Sequence, residues 1–160
     1  MAVAVLYFYA KQGDVGFSAG QEAPAWVLQN GQGKGTSLAD YKGKVVLLSF
    51  WATWCPPCVH EIPSLNALQR RFASEGLVVL GVNLDDEGWE AIRLLEKRIP
   101  IGFPVVWDEQ ATVSNLYHVE HLPQSYLISR EGRILQELSG GIDEGDEEVV
   151  SLIQETLRIP

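Results

Sequence analysis

Cysteine is almost missing from this chain: Cys55 and Cys58 are the only two among 160 residues. Two thiols at that spacing exclude a disulfide scaffold, and their number excludes a four-cysteine zinc site. The chain has no stray thiol to mispair, which suits an oxidising compartment. Basic residues are also few, 12 against 21 acidic, for a formal net charge of −9. That balance argues against a nucleic-acid partner, which calls for a basic face. Long apolar runs are lacking too. The stretch Ala2–Ala10 is apolar but far short of the about 20 residues that span a bilayer. No basic residue precedes it, as a complete signal peptide requires. It reads either as the tail of a longer membrane anchor or as an edge strand or packed arm. Residues 1–19 are set apart on that basis, and residues 20–160 form the domain.

What is present describes one folded unit. Apolar residues make up 46% and charged residues 21% of the chain, ordinary values for a globular domain. The segment Gly13–Ala23 is a connector, Ala25–Gln29 a short strand, and Asn30–Gly35 a turn. Lys34 in that turn, with Thr36 just after it, lacks the glycine spacing of a phosphate loop. Val45–Ala52 carries no charge, as expected of a strand buried on both faces. A helix follows from about Pro57, with Ile62, Leu65, Leu68 and Phe72 on one face. Pro63 should bend it, because its nitrogen has no hydrogen to donate. Leu77–Leu84 is a second buried strand and Trp89–Arg98 a second amphipathic helix. Pro104–Trp107 is strand-like and Ala111–Tyr117 helical. Ser125–Ser129 and Ile134–Leu138 make a hairpin around Arg130–Arg133. Val149, Leu152, Ile153 and Leu157 mark a last helix. Asp146, Glu147 and Glu148 stand at its start, where negative charge favours the dipole. Alternating strands and helices closed by a hairpin give an α/β fold, a sheet covered on both faces. Such sheets place their sites at the carboxyl ends of central strands.

The dithiol lies at such a place, within Phe50-Trp51-Ala52-Thr53-Trp54-Cys55-Pro56-Pro57-Cys58. A sulfur at a helix N-terminus meets unpaired N–H groups, which favour the thiolate. Cysteines so placed have pKa values lowered to about 3.5–7.5. Cys55, nearer the helix start, is expected to be the exposed nucleophile. Cys58, one turn in, is expected to be partly buried and to resolve the mixed disulfide. Pro56 and Pro57 stiffen the link between them.

The run Gly43–Cys58 resembles the thioredoxin superfamily, and within it the extracytoplasmic TlpA/ResA/DsbE-like branch. Glu61-Ile62-Pro63 and Gly81-Val82-Asn83-Leu84-Asp85 match that branch as well. The resemblance covers Gly20 to the C-terminus and implies a thioredoxin-like fold: a central mixed sheet with helices on both faces. The helix and short strand between Gly88 and Trp107 correspond to the branch's insertion. The resemblance also implies that Pro123 is a cis-proline facing the dithiol. The backbone at Leu122 would then pair with an extended substrate chain. Glu61 would lie beside Cys58 and tune its proton traffic, with Ser49 standing where thioredoxin itself has a buried aspartate. Trp54, Pro56 and Pro57 would line the substrate groove, with Trp51 as packing. His60 reads as surface, and His118 and His121 lie near the proline loop. Cytochrome c maturation members carry glycine before the cis-proline and Glu-Thr after it, whereas this chain has Leu122, Gln124 and Ser125.

The function expected is thiol–disulfide exchange with protein substrates, as an extracytoplasmic or periplasmic reductase served by a membrane electron donor. The expected state is monomeric, with no cofactor and no resident metal. Two alternatives use the same scaffold. A peroxiredoxin-like peroxidase places threonine three residues before its cysteine, where this chain has Ala52. A copper chaperone uses three residues between its cysteines and a distant histidine, against two residues here.

Overall fold

The structure, a computed structural model, describes residues 16–160. The apolar stretch Ala2–Ala10 lies outside the described residues. Seven strands and four helices follow in chain order. They are β1 (Val27–Asn30), β2 (Gly35–Ser37), β3 (Val45–Trp51), α1 (Pro56–Phe72), β4 (Leu77–Asn83), α2 (Trp89–Glu96), β5 (Val105–Trp107), α3 (Thr112–Leu116), β6 (Gln124–Ile128), β7 (Ile134–Ser139) and α4 (Glu147–Arg158). One mixed sheet runs β2-β1-β5-β4-β3-β6-β7. The pairs β3–β4 and β4–β5 are parallel, and the remaining four are antiparallel.

Every residue of β3 is buried, as its uncharged composition requires of a central strand. Strand alternation divides its side chains between two layers. Val45, Leu47 and Trp51 join Ile62, Leu65, Leu68 and Phe72 of α1, Ile92 and Leu95 of α2, and Ile153 and Leu157 of α4. Val46, Leu48 and Phe50 join Val113 of α3 with Trp26, Tyr117 and Tyr126 on the other face. Phe17 packs into this second layer, 5.7 Å from the Tyr117 ring. Burying one such large apolar side chain contributes about 1.5–3 kcal/mol, so the two layers dominate folding. Helices therefore cover both faces, with α2 and β5 inserted between β4 and β6.

Two details fix the geometry at the two ends of the sheet. Gly81 in β4 has no side chain because one would come within 2.9 Å of the Trp51 indole nitrogen and 3.0 Å of Phe103. Trp51 can thus lie across the neighbouring strand. At the opposite end, Arg130 donates to the carbonyls of Gly43, Glu75, Leu157 and Ile159 at 2.9–3.2 Å. One guanidinium ties three connections and the C-terminal helix together. Pro63 lies within α1, on its exposed side. The strand expected at Ala25–Gln29 runs from Val27 to Asn30, and β2 was not foreseen.

Candidate active site

Strand β3 ends at Trp51, and a four-residue turn carries the chain into α1. The N–H of Cys55 donates to Ala52 O at 3.3 Å. Cys55 is the N-cap residue of α1, with extended backbone at φ −101°, and its sulfur accepts the N–H of Cys58 at 3.3 Å. Pro56 and Pro57 fill the first two helical positions, where a missing N–H costs nothing. No acidic residue lies in this first turn, so nothing there competes with sulfur for the positive helix end. The two sulfurs form a disulfide with Cα atoms 5.2 Å apart.

Burial differs from the sequence-based expectation. Cys55 is only 5% exposed and Cys58 0%. Both cysteines belong to the apolar layer that holds Ala52 and Ile62. The exposed surface around it belongs to Trp54, 66% exposed, and to Pro56 and Pro57.

Strand β6 brings the proline loop to the same end. Gln124 pairs with Phe50, so one step further Pro123 stands level with Trp51. The Leu122–Pro123 peptide is cis. Pro123 is buried, its carbonyl accepts Gly140 N–H at 3.1 Å, and Leu122 packs against both apolar layers. Gln124 steadies the loop from within, accepting Glu120 N–H at 3.3 Å and donating to Tyr126 and Glu137 at 2.7 and 2.8 Å. His60, His118 and His121 are exposed, and the His118 ring lies 5.4 Å from Phe17.

Glu61, one turn after Cys58 on α1, is 2% exposed. Burial raises its carboxyl from 4.5 to about 7, offset in part by hydrogen bonds to the charged form. These come from Ile142 N–H at 2.7 Å and from Ser49 Oγ at 3.3 Å. A carboxyl so poised exchanges protons at neutral pH. Ser49 therefore touches the acid where the resemblance set it in place of another. Ile142, on the loop between β7 and α4, gave no sequence signal. Asp85 was visible only as part of a motif. It is buried and accepts hydrogen bonds from Thr53, two residues before Cys55. Among the described residues, no three His, Cys, Asp or Glu side chains are grouped to hold a metal ion.

A disulfide capping the helix after the central strand of a mixed, doubly covered sheet defines a thioredoxin-like thiol–disulfide oxidoreductase. The chain belongs to the AhpC/TSA family, whose pattern it matches over residues 19–137. It is 37% identical over 132 residues to the thiol-disulfide oxidoreductase ResA of Bacillus subtilis (strain 168), covering 82% of this chain and 73% of that protein. It is likewise 37% identical over 129 residues to ResA of Geobacillus kaustophilus (strain HTA426), covering 81% and 74%. Among solved structures it is similar to a candidate thiol:disulfide interchange protein DsbE from Chlorobium tepidum. There the TM-score is 0.82 and the identity 33%, over 88% of this chain and 99% of the other.

Proposed function

We propose that this oxidoreductase works as an extracytoplasmic reductase of protein disulfides, with Cys55 as the attacking thiol. The observation that carries the assignment is the unequal placement of the two sulfurs. Cys55 caps the helix and keeps the residual exposure, whereas Cys58 has none. In the reduced protein, the Cys55 thiolate attacks one sulfur of a substrate disulfide. That bond breaks, a mixed disulfide forms, and the departing substrate sulfur takes up a proton. Cys58 then loses its proton, with the Glu61 carboxylate as acceptor, and attacks the Cys55 sulfur. The second substrate thiol leaves, and two electrons have passed from the chain to the substrate. Trp54, Pro56 and Pro57 supply the surface for an extended substrate, and the backbone at Leu122, ahead of Pro123, pairs with it.

A membrane-held thiol donor returns the dithiol to its reduced form, and the enzyme acts as a monomer. Among the described residues, no helix is long and apolar enough to cross a membrane. Service to apocytochrome c is a narrower version of this role. Leu122, Gln124 and Ser125 stand against it, being unlike the residues of the dedicated maturation proteins.

Redox titration with alkylation tests the reading. Cys55 and Cys58 should interconvert as one two-electron couple, and their failure to do so would end it. Cys55→Ser should abolish turnover. Cys58→Ser should accumulate a mixed disulfide through Cys55, and its absence would overturn the assigned order of the sulfurs.

A further inference from the structure

The electron transfer just described gives no part to Asp85, although this carboxylate is buried beside it. Asp85 is 2% exposed and follows directly on β4, the parallel neighbour of β3. A carboxylate removed from water is costly unless hydrogen bonds replace the water. Here three do. Oδ2 accepts the backbone N–H of Thr53 at 2.8 Å and the Asn83 amide at 2.6 Å, and Oδ1 accepts the Thr53 hydroxyl at 2.5 Å. Asp85 is itself held in place. Its N–H donates to Asn83 Oδ1 at 3.0 Å, and its carbonyl accepts the Trp107 indole N–H at 2.8 Å.

Two of the three bonds reach one residue, from its backbone and its side chain. Together they fix both the position and the rotation of Thr53. Only Trp54 then separates the clamp from Cys55. The Cys55 N–H is already committed to Ala52. The turn from residue 52 to 55 is therefore held from two sides, by Asp85 after β4 at Thr53 and by the first turn of α1 at Cys55. The clamp also lies beyond the last sheet pair, Trp51–Asn83, so the seven-pair β3–β4 register does not depend on it.

We propose that Asp85 is a positioning residue for thiol–disulfide exchange. Through Thr53 it holds the exposed Trp54 and the Cys55 sulfur in the relation that a polypeptide disulfide meets. It touches neither substrate nor sulfur. The proposal rests on Cys55 as the attacking thiol and Trp54 as a substrate surface. A small disulfide needs only an accessible sulfur, whereas a protein disulfide must fit sulfur and surface at once. Misplacement by about 1 Å at such a site costs up to about 100-fold in rate, so loosening the clamp should cost about tenfold.

The test uses the full chain, reduced, with insulin as the protein disulfide and oxidised glutathione as the small one. Asp85→Asn keeps the side-chain shape but puts an amide where donors now point. Thr53→Val removes one donor and keeps the shape, and Thr53→Ser keeps both donors. Rates are referred to the folded fraction measured by circular dichroism. Asp85→Asn and Thr53→Val should each lower kcat/KM for insulin about tenfold and that for glutathione less than twofold. Thr53→Ser should stay within twofold of the parent for both. The double variant should be no slower than the slower single variant, because both break one clamp. If Asp85→Asn does not fold, Thr53→Val alone decides the matter. Parent-like insulin rates in the folded variants would overturn the proposal, as would equal slowing of both substrates. A parent protein that reduces neither disulfide would instead overturn the assigned exchange itself.

Discussion

At the end of the sheet where β3, β4 and β5 finish, the exposed lysine, arginine, aspartate and glutamate side chains among the described residues are all carboxylates. Asp86, Glu87, Glu109, Glu120, Asp143 and Glu144 lie there with Asp146, Glu147 and Glu148, and segments 52–62, 84–92, 108–123 and 137–149 hold no lysine or arginine. The other end is mixed: Lys42, Lys44, Arg70, Arg71, Lys97, Arg98, Arg130 and Arg133 stand among Asp40, Glu75, Glu96 and Glu131. The cause is the winding of the chain. Helices α1, α2 and α4 all start at the first end and finish at the second. Acids near helix starts and bases near helix ends both complement the dipole. Glu90 lies in the first turn of α2, and Glu147 and Glu148 in that of α4. Arg70, Arg71, Arg93 and Arg158 lie in last turns. Only α1 of the three has no acid in its first turn, and there the leading N–H serves Cys55. Charges that complement the helix dipoles thus also place carboxylates at the end of the sheet that carries the dithiol.

The two ends should separate experimentally into one that holds the fold and one that runs the chemistry. The largest effect is expected from Arg130→Ala. Losing four bonds from one guanidinium to backbone carbonyls should cost about 3 kcal/mol in urea unfolding. Exchange by the folded fraction should stay within about twofold. A fall in that rate would break the division.

Glu61→Gln should come next. The folded protein holds a proton on Glu61 up to about pH 7, whereas the unfolded chain releases it near 4.5. Between those values the folded state binds more protons, so stability falls as pH rises. The raised carboxyl corresponds to roughly 3 kcal/mol lost across that window. In Glu61→Gln most of this slope should vanish, which urea midpoints of the oxidised protein at about pH 5 and 8 would show. An unchanged slope would mean that Glu61 is not desolvated.

A smaller effect concerns the acidic end alone. Reduction of a lysine-rich peptide disulfide should slow about threefold from low salt to about 0.5 M, and an acidic peptide should speed up. Equal salt dependence for both would show that the field does not reach the sulfur. Smallest of all, Glu148→Gln should lower stability by about 0.5 kcal/mol through the α4 dipole. That is a change of about 1–2 °C in Tm, with no effect on exchange.

Much of this architecture was legible locally. The uncharged run at β3, the i, i+3, i+4 faces of α1 and α4, and two prolines beside an N-cap cysteine each follow from neighbouring residues. The cis bond at Leu122–Pro123 was implied by resemblance rather than by composition. Strand β2 escaped because three residues are too few for periodicity, and its pairing with β1 decides its state. The burial of Cys55 escaped because it depends on the apolar layer that distant segments build around it. Glu61 could be suspected from its place on the helix. Its partner Ile142, 81 residues away, could not. The same is true of Thr53 and Asp85, 32 residues apart, and of Arg130 reaching Gly43 across 87.

Taken alone, the order of residues decided which sulfurs pair, where the helix behind them begins, and which faces are apolar. These are properties of short range, governed by backbone torsions, capping and periodic side chains. Only the folded chain decided that Glu61 loses its water and that Thr53 meets a carboxylate. It also decided that carboxylates collect at one end of the sheet. Those outcomes need segments brought together by the packing of two apolar layers, and desolvation has no value until that packing exists.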